Sequence, residues 1–232
     1  MNRVPLVLLP GLLCDRDLWA PQLEALADVA DMTVGDLTRD DSMAGMAARV
    51  LAQAPERFAL AGLSMGGYAS FEILRRAPER VTRLALLDTS ARPDTPEQSQ
   101  RRRDLIALAE RGSFKGLTPQ LLPQWVHPER MKDPVFVARV AAMTSRVGGD
   151  AFVRGQTAIM NRPDSRPGLA RIRIPTLVLC GRQDAATPPD RHREIAADVP
   201  NATLVIVEDC GHLSTLEKPA EVGAALRAWL AG

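Results

Sequence analysis

The chain has 232 residues, 29 lysines and arginines against 28 acidic residues, and a net charge of +1, so charge offers no handle for nucleic acid or an anionic membrane. A chain of this length buries about 70–75% of its unfolded surface and needs no disulfide or metal to hold a core. Its three cysteines, Cys14, Cys180 and Cys210, match neither a zinc site nor a redox pair. No signal-peptide pattern and no run of about 20 apolar residues is found. The expectation is one reduced, cytoplasmic domain with an insertion, without nucleic-acid or membrane partners.

In chain order, six short apolar runs read as strands: "VPLVLLP" (4–10), "MTVGDL" (32–37), "RFALAGL" (57–63), "RLALLD" (83–88), "PTLVLCG" (175–181) and "ATLVIVED" (202–209). None alternates strictly, which predicts a sheet covered on both faces. Helical patterns follow most of them, over Ser42 to Ala54, Gly66 to Arg76, a helix capped by Thr187 with Pro188 at its first position, and Pro219 to Leu230. Strand and helix in alternation predict a parallel sheet with right-handed crossovers.

The alternation breaks between residues 89 and 171, where short helices are expected. One runs from Pro96 to Arg111 and stops at Gly112. One starts at Thr118-Pro119. One starts at Asp133-Pro134, carries Phe136, Val140, Met143 and Val147 at helical spacing, and stops at Gly148-Gly149. A last one starts near Asp150. This block reads as a helical cap folded over one edge of the sheet, and the run Arg101-Arg102-Arg103 within it as a solvated helix face.

In a parallel sheet, reactive groups collect at the carboxyl ends of the strands. There the sequence offers Gly11-Leu12-Leu13, Ser64-Met65-Gly66, Asp88-Thr89, Asp184 and Gly211-His212. Ser64 stands in "GLSMGG". G-x-S-x-G arises by chance in about one chain in twelve of this length, so context must carry the argument. That context is a strand before and a helix after, the setting of a strained turn that exposes a hydroxyl. A serine hydroxyl needs a base, and the base needs a partner to fix its tautomer. Of the three histidines, His127 lies in the cap and His192 sits between Arg191 and Arg193 in an expected exposed helix. His212 follows a strand and is the candidate base. Asp184 in "GRQD" is the stronger candidate acid and Asp88 its rival. Asp209 reads as structural.

At these residues the chain resembles the α/β-hydrolase superfamily. The matching pieces are "LLPGLL", "GLSMGG", "GRQDAATP" and "EDCGHLSTLEKP", in the superfamily's order of serine, aspartate and histidine. The resemblance spans nearly the whole chain apart from the cap, which varies among members. It implies an α/β-hydrolase fold: a mostly parallel sheet of about six strands, with the family's first two absent, flanked by helices. A core of 1–90 and 172–232 would carry a cap at 91–171. It implies Ser64 as nucleophile, His212 as base, Asp184 as orienting acid, and the backbone N–H groups of Leu12 and Met65 as oxyanion hole. No metal or organic cofactor is implied. Pro10-Gly11 replaces the His-Gly of many relatives, which leaves a hole built from main chain intact.

The expected reaction is hydrolysis of a small to medium apolar or aryl ester or lactone. Its partner is a small molecule, and the oligomeric state is open. The segments "RPDSRPGLARIRIPTLVLCGRQD" and "CGHLSTLE" are similar to 3-oxoadipate enol-lactonase-like members. Carbon–carbon bond hydrolases and cofactor-free perhydrolases use the same three residues, and a non-catalytic binding protein on this fold is the alternative of another class. Candidate cap residues for the substrate are Phe114, Trp125, Met131, Phe136, Met143, Phe152 and Met160, with Arg154 and Arg162 for a carboxylate.

Overall fold

The computed structural model describes residues 3–114, 116 and 121–232; the helix start expected at Thr118-Pro119 lies outside them. Six strands form one sheet: Val4–Leu9 (β1), Ala30–Val34 (β2), Phe58–Leu63 (β3), Val81–Leu87 (β4), Thr176–Gly181 (β5) and Ala202–Val207 (β6). All pairs are parallel, in the order β2-β1-β3-β4-β5-β6. The second strand lies earlier than its apolar run suggests, because its register pairs Val4 with Ala30 and Leu8 with Val34.

Side chains leave the strands alternately, and here both sides are apolar. Leu6, Leu8, Ala59, Ala61, Leu63, Ala85, Leu87, Leu177 and Leu179 enter one core. Val7, Leu9, Phe58, Leu60, Leu84, Leu86 and Val178 enter the other. Unbroken apolar strands are therefore what a sheet covered on both faces requires. The covering helices are Ala20–Ala25 (α1), Met43–Gln53 (α2), Met65–Arg76 (α3), Pro96–Leu108 (α4), Pro134–Met160 (α5), Pro189–Asp198 (α6), Ser214–Glu217 (α7) and Pro219–Ala231 (α8). Val222, Leu226 and Trp229 of α8 close the first core, and Met46, Val50, Ile73 and Ile195 of α2, α3 and α6 close the second.

Local chemistry sets the helix ends. Ser42 accepts from Gly45 N ahead of α2. Thr95 and Gln98 form a capping box at α4, each side chain bonding the other's backbone. Asp133 accepts from Val135 N and Phe136 N at α5. Gly148 (φ 81°, ψ 171°) breaks α5 in a conformation open only to glycine, where a helix stop was expected. Helix α6 starts one residue later than expected, at Pro189, because the Thr187 hydroxyl turns inward to Asp184. Between β4 and β5 the described residues hold helices and turns but no strand. No helix among the described residues is long and apolar enough to cross a membrane.

Candidate active site

The parallel register brings the ends of β3 to β6 level. Ser64 N donates to Leu87 O and Asp88 N to Leu179 O, each extending the ladder one step beyond its strand. Ser64 then turns at φ 56°, ψ −114°, a left-handed conformation rarely held by a residue with a side chain, directly before α3. The flanking glycines permit the turn. A Cβ on Gly62 would sit 2.3 Å from Gly66 O, one on Gly66 2.2 Å from Leu9 O, and one on Gly67 2.4 Å from Thr89 Oγ1. The main chain of β1, β3 and α3 meets too closely there for any side chain.

His212 Nε2 lies 2.9 Å from Ser64 Oγ, and its Nδ1 lies 2.9 Å from Asp184 Oδ2. Asp184 also accepts from Ala186 N (2.9 Å), Thr187 N (2.8 Å) and Thr187 Oγ1 (2.7 Å). Burial pushes the Asp184 carboxyl up, but the charge and hydrogen bond of His212, with those from Thr187, hold it below its ordinary value. Burial likewise works against a charged His212, and the Asp184 carboxylate outweighs it, so the imidazole is raised above its ordinary value. A carboxylate at Nδ1 fixes the tautomer that leaves Nε2 free to accept a proton.

Leu12 sits on the loop after β1, close enough that a Cβ on Gly11 would lie 3.4 Å from Ser64 Cβ. Met65 is the first residue of α3, where an amide has no acceptor within the helix. Asp88, the rival acid, does not bond the histidine. It accepts from Ser214 Oγ (2.5 Å) and Gly181 N (3.2 Å), and burial with the nearby Asp184 charge pushes its carboxyl up. Asp209 holds a left-handed turn at φ 50°. His192 is fully buried, contrary to the expectation of exposure. Its Nε2 accepts from Thr89 N at 2.8 Å, and burial lowers it to about 4, so it is neutral. Thr89 in turn donates from Oγ1 to Ser64 O at 2.8 Å, so His192 braces the serine turn from behind.

A family model for the alpha/beta hydrolase fold matches residues 4–219. The chain belongs to the α/β-hydrolase family. Among solved structures it is similar to a thermophilic esterase from Thermogutta terrifontis, at 29% identity and a TM-score of 0.90, covering 99% of this chain and 90% of that one. It is also similar to the enol-lactonase from Burkholderia xenovorans LB400, at 26% identity and a TM-score of 0.90, covering 100% and 93%. A curated relative is the 2-hydroxy-6-oxononadienedioate/2-hydroxy-6-oxononatrienedioate hydrolase 2 of Pseudomonas putida, 28% identical over 167 residues. That match spans 70% of this chain and 58% of the relative's length.

In this α/β-hydrolase fold a cavity of about 260 Å³ opens over Ser64 and His212. Of the substrate candidates named from sequence, Trp125 and Phe152 line it. Trp125 O accepts from His212 N at 3.1 Å, and its ring stands edge-on to the imidazole. Phe114 stacks behind Phe152, with centroids 5.2 Å apart. The others are corrected. Phe136 and Met143 are buried in the core with Leu18, Trp19 and Leu213. Met160 faces the Arg103 guanidinium at 3.7 Å, and Met131 is exposed. Arg154 donates to Thr38 O, away from the cavity, and Arg162 pairs with Asp94 and stacks on Tyr68. Helical spacing marked an apolar face on α5 without saying which neighbour that face would meet.

Sequence reasoning missed one wall altogether. Gln98, Arg101, Arg102 and Leu105 of α4 face the cavity, together with Gln124 and Gln156. Their spacing of three, four and seven residues puts them on one helix face, whereas the sequence alone singles out only the run Arg101-Arg102-Arg103, as a solvated face. Glu217 was also missed. Fully buried, it accepts from His127 N (2.8 Å), Gly211 N (3.1 Å) and Leu213 N (3.0 Å), tying the histidine loop to the helical segment above; burial pushes its carboxyl up.

Proposed function

We propose that this hydrolase cleaves a carboxylic ester or lactone through an acyl-enzyme, with Ser64 as nucleophile, His212 as base and Asp184 as the acid that orients it. The observation that carries this reading is the unbroken chain of contacts at 2.9 Å from Ser64 Oγ to His212 and from His212 to Asp184. Ser64 Oγ attacks the carbonyl carbon as His212 Nε2 takes its proton. Negative charge gathers on the carbonyl oxygen, against the amides of Leu12 and Met65. The tetrahedral intermediate collapses, the alkoxide leaves with the proton from His212, and the acyl group stays on Ser64. Water, losing a proton to His212, then releases the acid and returns Ser64 to its hydroxyl form. In a lactone the leaving oxygen remains tethered to the acyl chain. Residues 91–171 act as the cap, with Trp125 and Phe152 as apolar contacts for the substrate.

Fluorophosphonate treatment followed by intact mass and peptide mapping tests this without a guess at the substrate. One adduct on Ser64, absent in Ser64→Ala and strongly slowed in His212→Ala, is the expected result. Folded protein that stays unlabelled, or is labelled elsewhere, refutes an activated Ser64. The Pseudomonas relative favours carbon–carbon bond hydrolysis as a second reading. A panel in which vinylogous diketones turn over and esters and lactones stay inert would select it.

A further inference from the structure

The α4 wall carries charge that the protein leaves unmatched. Arg102 and Arg162 both pair with Asp94, at 2.5 Å each, and Asp94 is buried. Arg101 makes no ion pair among the described residues; its guanidinium donates to Gln124 Oε1 at 2.9 Å. Two guanidiniums therefore share the Asp94 carboxylate while Arg101 has none, and guanidinium is charged at any working pH. Among the described residues no aspartate or glutamate lines the cavity.

The alternative of a merely solvated face does not fit the placement. Arg101 and Arg102 line the same cavity as Ser64, whereas their neighbour Arg103 points away to Gln100 and Met160. Each of the two also makes an orienting hydrogen bond, Arg101 while remaining exposed. Gln124 holds Arg101, while Asp94 and Gln156, the latter at 2.5 Å, hold Arg102. A held, partly unneutralised fork beside apolar walls is the arrangement that recognises a planar anion.

We propose that Arg101, with Arg102, binds a carboxylate on the substrate remote from the scissile carbonyl, so that the preferred substrates are small esters or lactones carrying a second, unreacting carboxylate. This rests on the acyl-transfer reading of Ser64. Arg101 is the specificity determinant. The charge of Arg102 is shared with Asp94, and Gln124 positions the Arg101 fork. The small volume of the cavity suits a short chain between the two ends of the substrate.

The test compares two chain-matched esters, mono-4-nitrophenyl adipate and 4-nitrophenyl hexanoate, which differ by one terminal carboxylate. Wild type is expected to favour the adipate at least tenfold in kcat/KM. Arg101→Gln should lose about ten- to hundredfold on the adipate, the range of a charge-assisted hydrogen bond, and change less than threefold on the hexanoate. Arg101→Lys should keep part of the preference, and Arg103→Gln all of it. Equal rates on the two esters in wild type, or an equal loss on both in Arg101→Gln, overturn the proposal. If neither ester turns over, the reading of Ser64 fails separately, and the anion site is judged by titrating Ser64→Ala protein with monomethyl adipate and methyl hexanoate. Tighter binding of monomethyl adipate, abolished by Arg101→Gln, supports the site; no difference between the two ligands overturns it.

Discussion

Asp184→Asn separates the roles of the two buried carboxyls beside His212. Asp184 accepts from Ala186 N, Thr187 N, Thr187 Oγ1 and His212 Nδ1. An asparagine fills the same space but has one acceptor oxygen. Two backbone amides converge on Oδ1, so the amide oxygen takes that position and the NH2 group takes the place of Oδ2, facing Thr187 Oγ1 and His212 Nδ1. His212 Nδ1 lies 2.9 Å from the Oδ2 position and 3.0 Å from the Oδ1 position, whose oxygen is already taken by two amides, so an N–H at Nδ1 would face the new NH2 group; Nδ1 is expected to accept from it, which moves the ring proton to Nε2. An Nε2–H group donates to Ser64 Oγ instead of taking its proton, and the base is lost without any change in shape. The same change of tautomer in serine proteases costs about 10⁴ in kcat, which is about 5.5 kcal/mol at about 1.4 kcal/mol per decade. The assay is kcat on 4-nitrophenyl acetate, with the rate of fluorophosphonate labelling as a second readout and circular dichroism to verify the fold. Asp88→Asn should stay within about tenfold of wild type, because Asp88 bonds Ser214 and Gly181 and not the imidazole. A folded Asp184→Asn within tenfold of wild type, beside an Asp88→Asn that loses 10³ or more, would refute the assignment and make Asp88 the partner of His212.

Gly66→Ala should lower stability by about 2–3 kcal/mol in urea titration, the cost of overpacking, because its Cβ would stand 2.2 Å from Leu9 O and 2.7 Å from Leu9 C, neither of which can swing aside. Neutral His192, at about 4 in the fold against about 6.5 in the unfolded chain, makes a contribution that is full above about pH 6.5 and is lost as pH falls towards 4, because the unfolded chain takes up the proton first. Urea midpoints for wild type and His192→Gln between pH 7 and pH 4 should therefore differ in slope, with wild type losing up to about 3 kcal/mol more; parallel curves would refute a neutral His192. His212 contributes with the opposite sign: its raised value adds stability below about pH 6.5 that fades as pH rises through the folded value. Glu217→Ala would strand two buried amides, Gly211 N and Leu213 N, at about 1–3 kcal/mol each, and free the half-buried His127 N; it should both destabilise the protein and lower kcat as the loop carrying His212 loosens, and unchanged urea stability would refute its bracing role.

Much of this molecule could be read from local pattern. Apolar runs without alternation specify buried parallel strands, because a sheet covered on both faces asks the same of every side chain. Glycines around Ser64 announce a crowded strand-to-helix turn, because main-chain contacts at 2.2–2.3 Å exclude any Cβ at Gly66 and Gly62. Gly148 marks the break in α5 for a similar backbone reason. These features depend on a residue and its near neighbours in sequence. Helix faces are different. Spacing along α4 and α5 tells which side chains share a face, but not what that face will meet. Phe136 and Met143 went to the core, Arg101 and Arg102 to the cavity, and His192 to a buried brace behind Ser64. Only the packing of elements far apart in the chain decided those destinations, because burial and charge pairing are properties of the space between elements. The unmatched charge on the cavity wall is accordingly a tertiary fact: 29 basic residues nearly balance 28 acidic ones over the chain, yet Arg102 and Arg162 share the single carboxylate of Asp94 and Arg101 meets only the Gln124 amide.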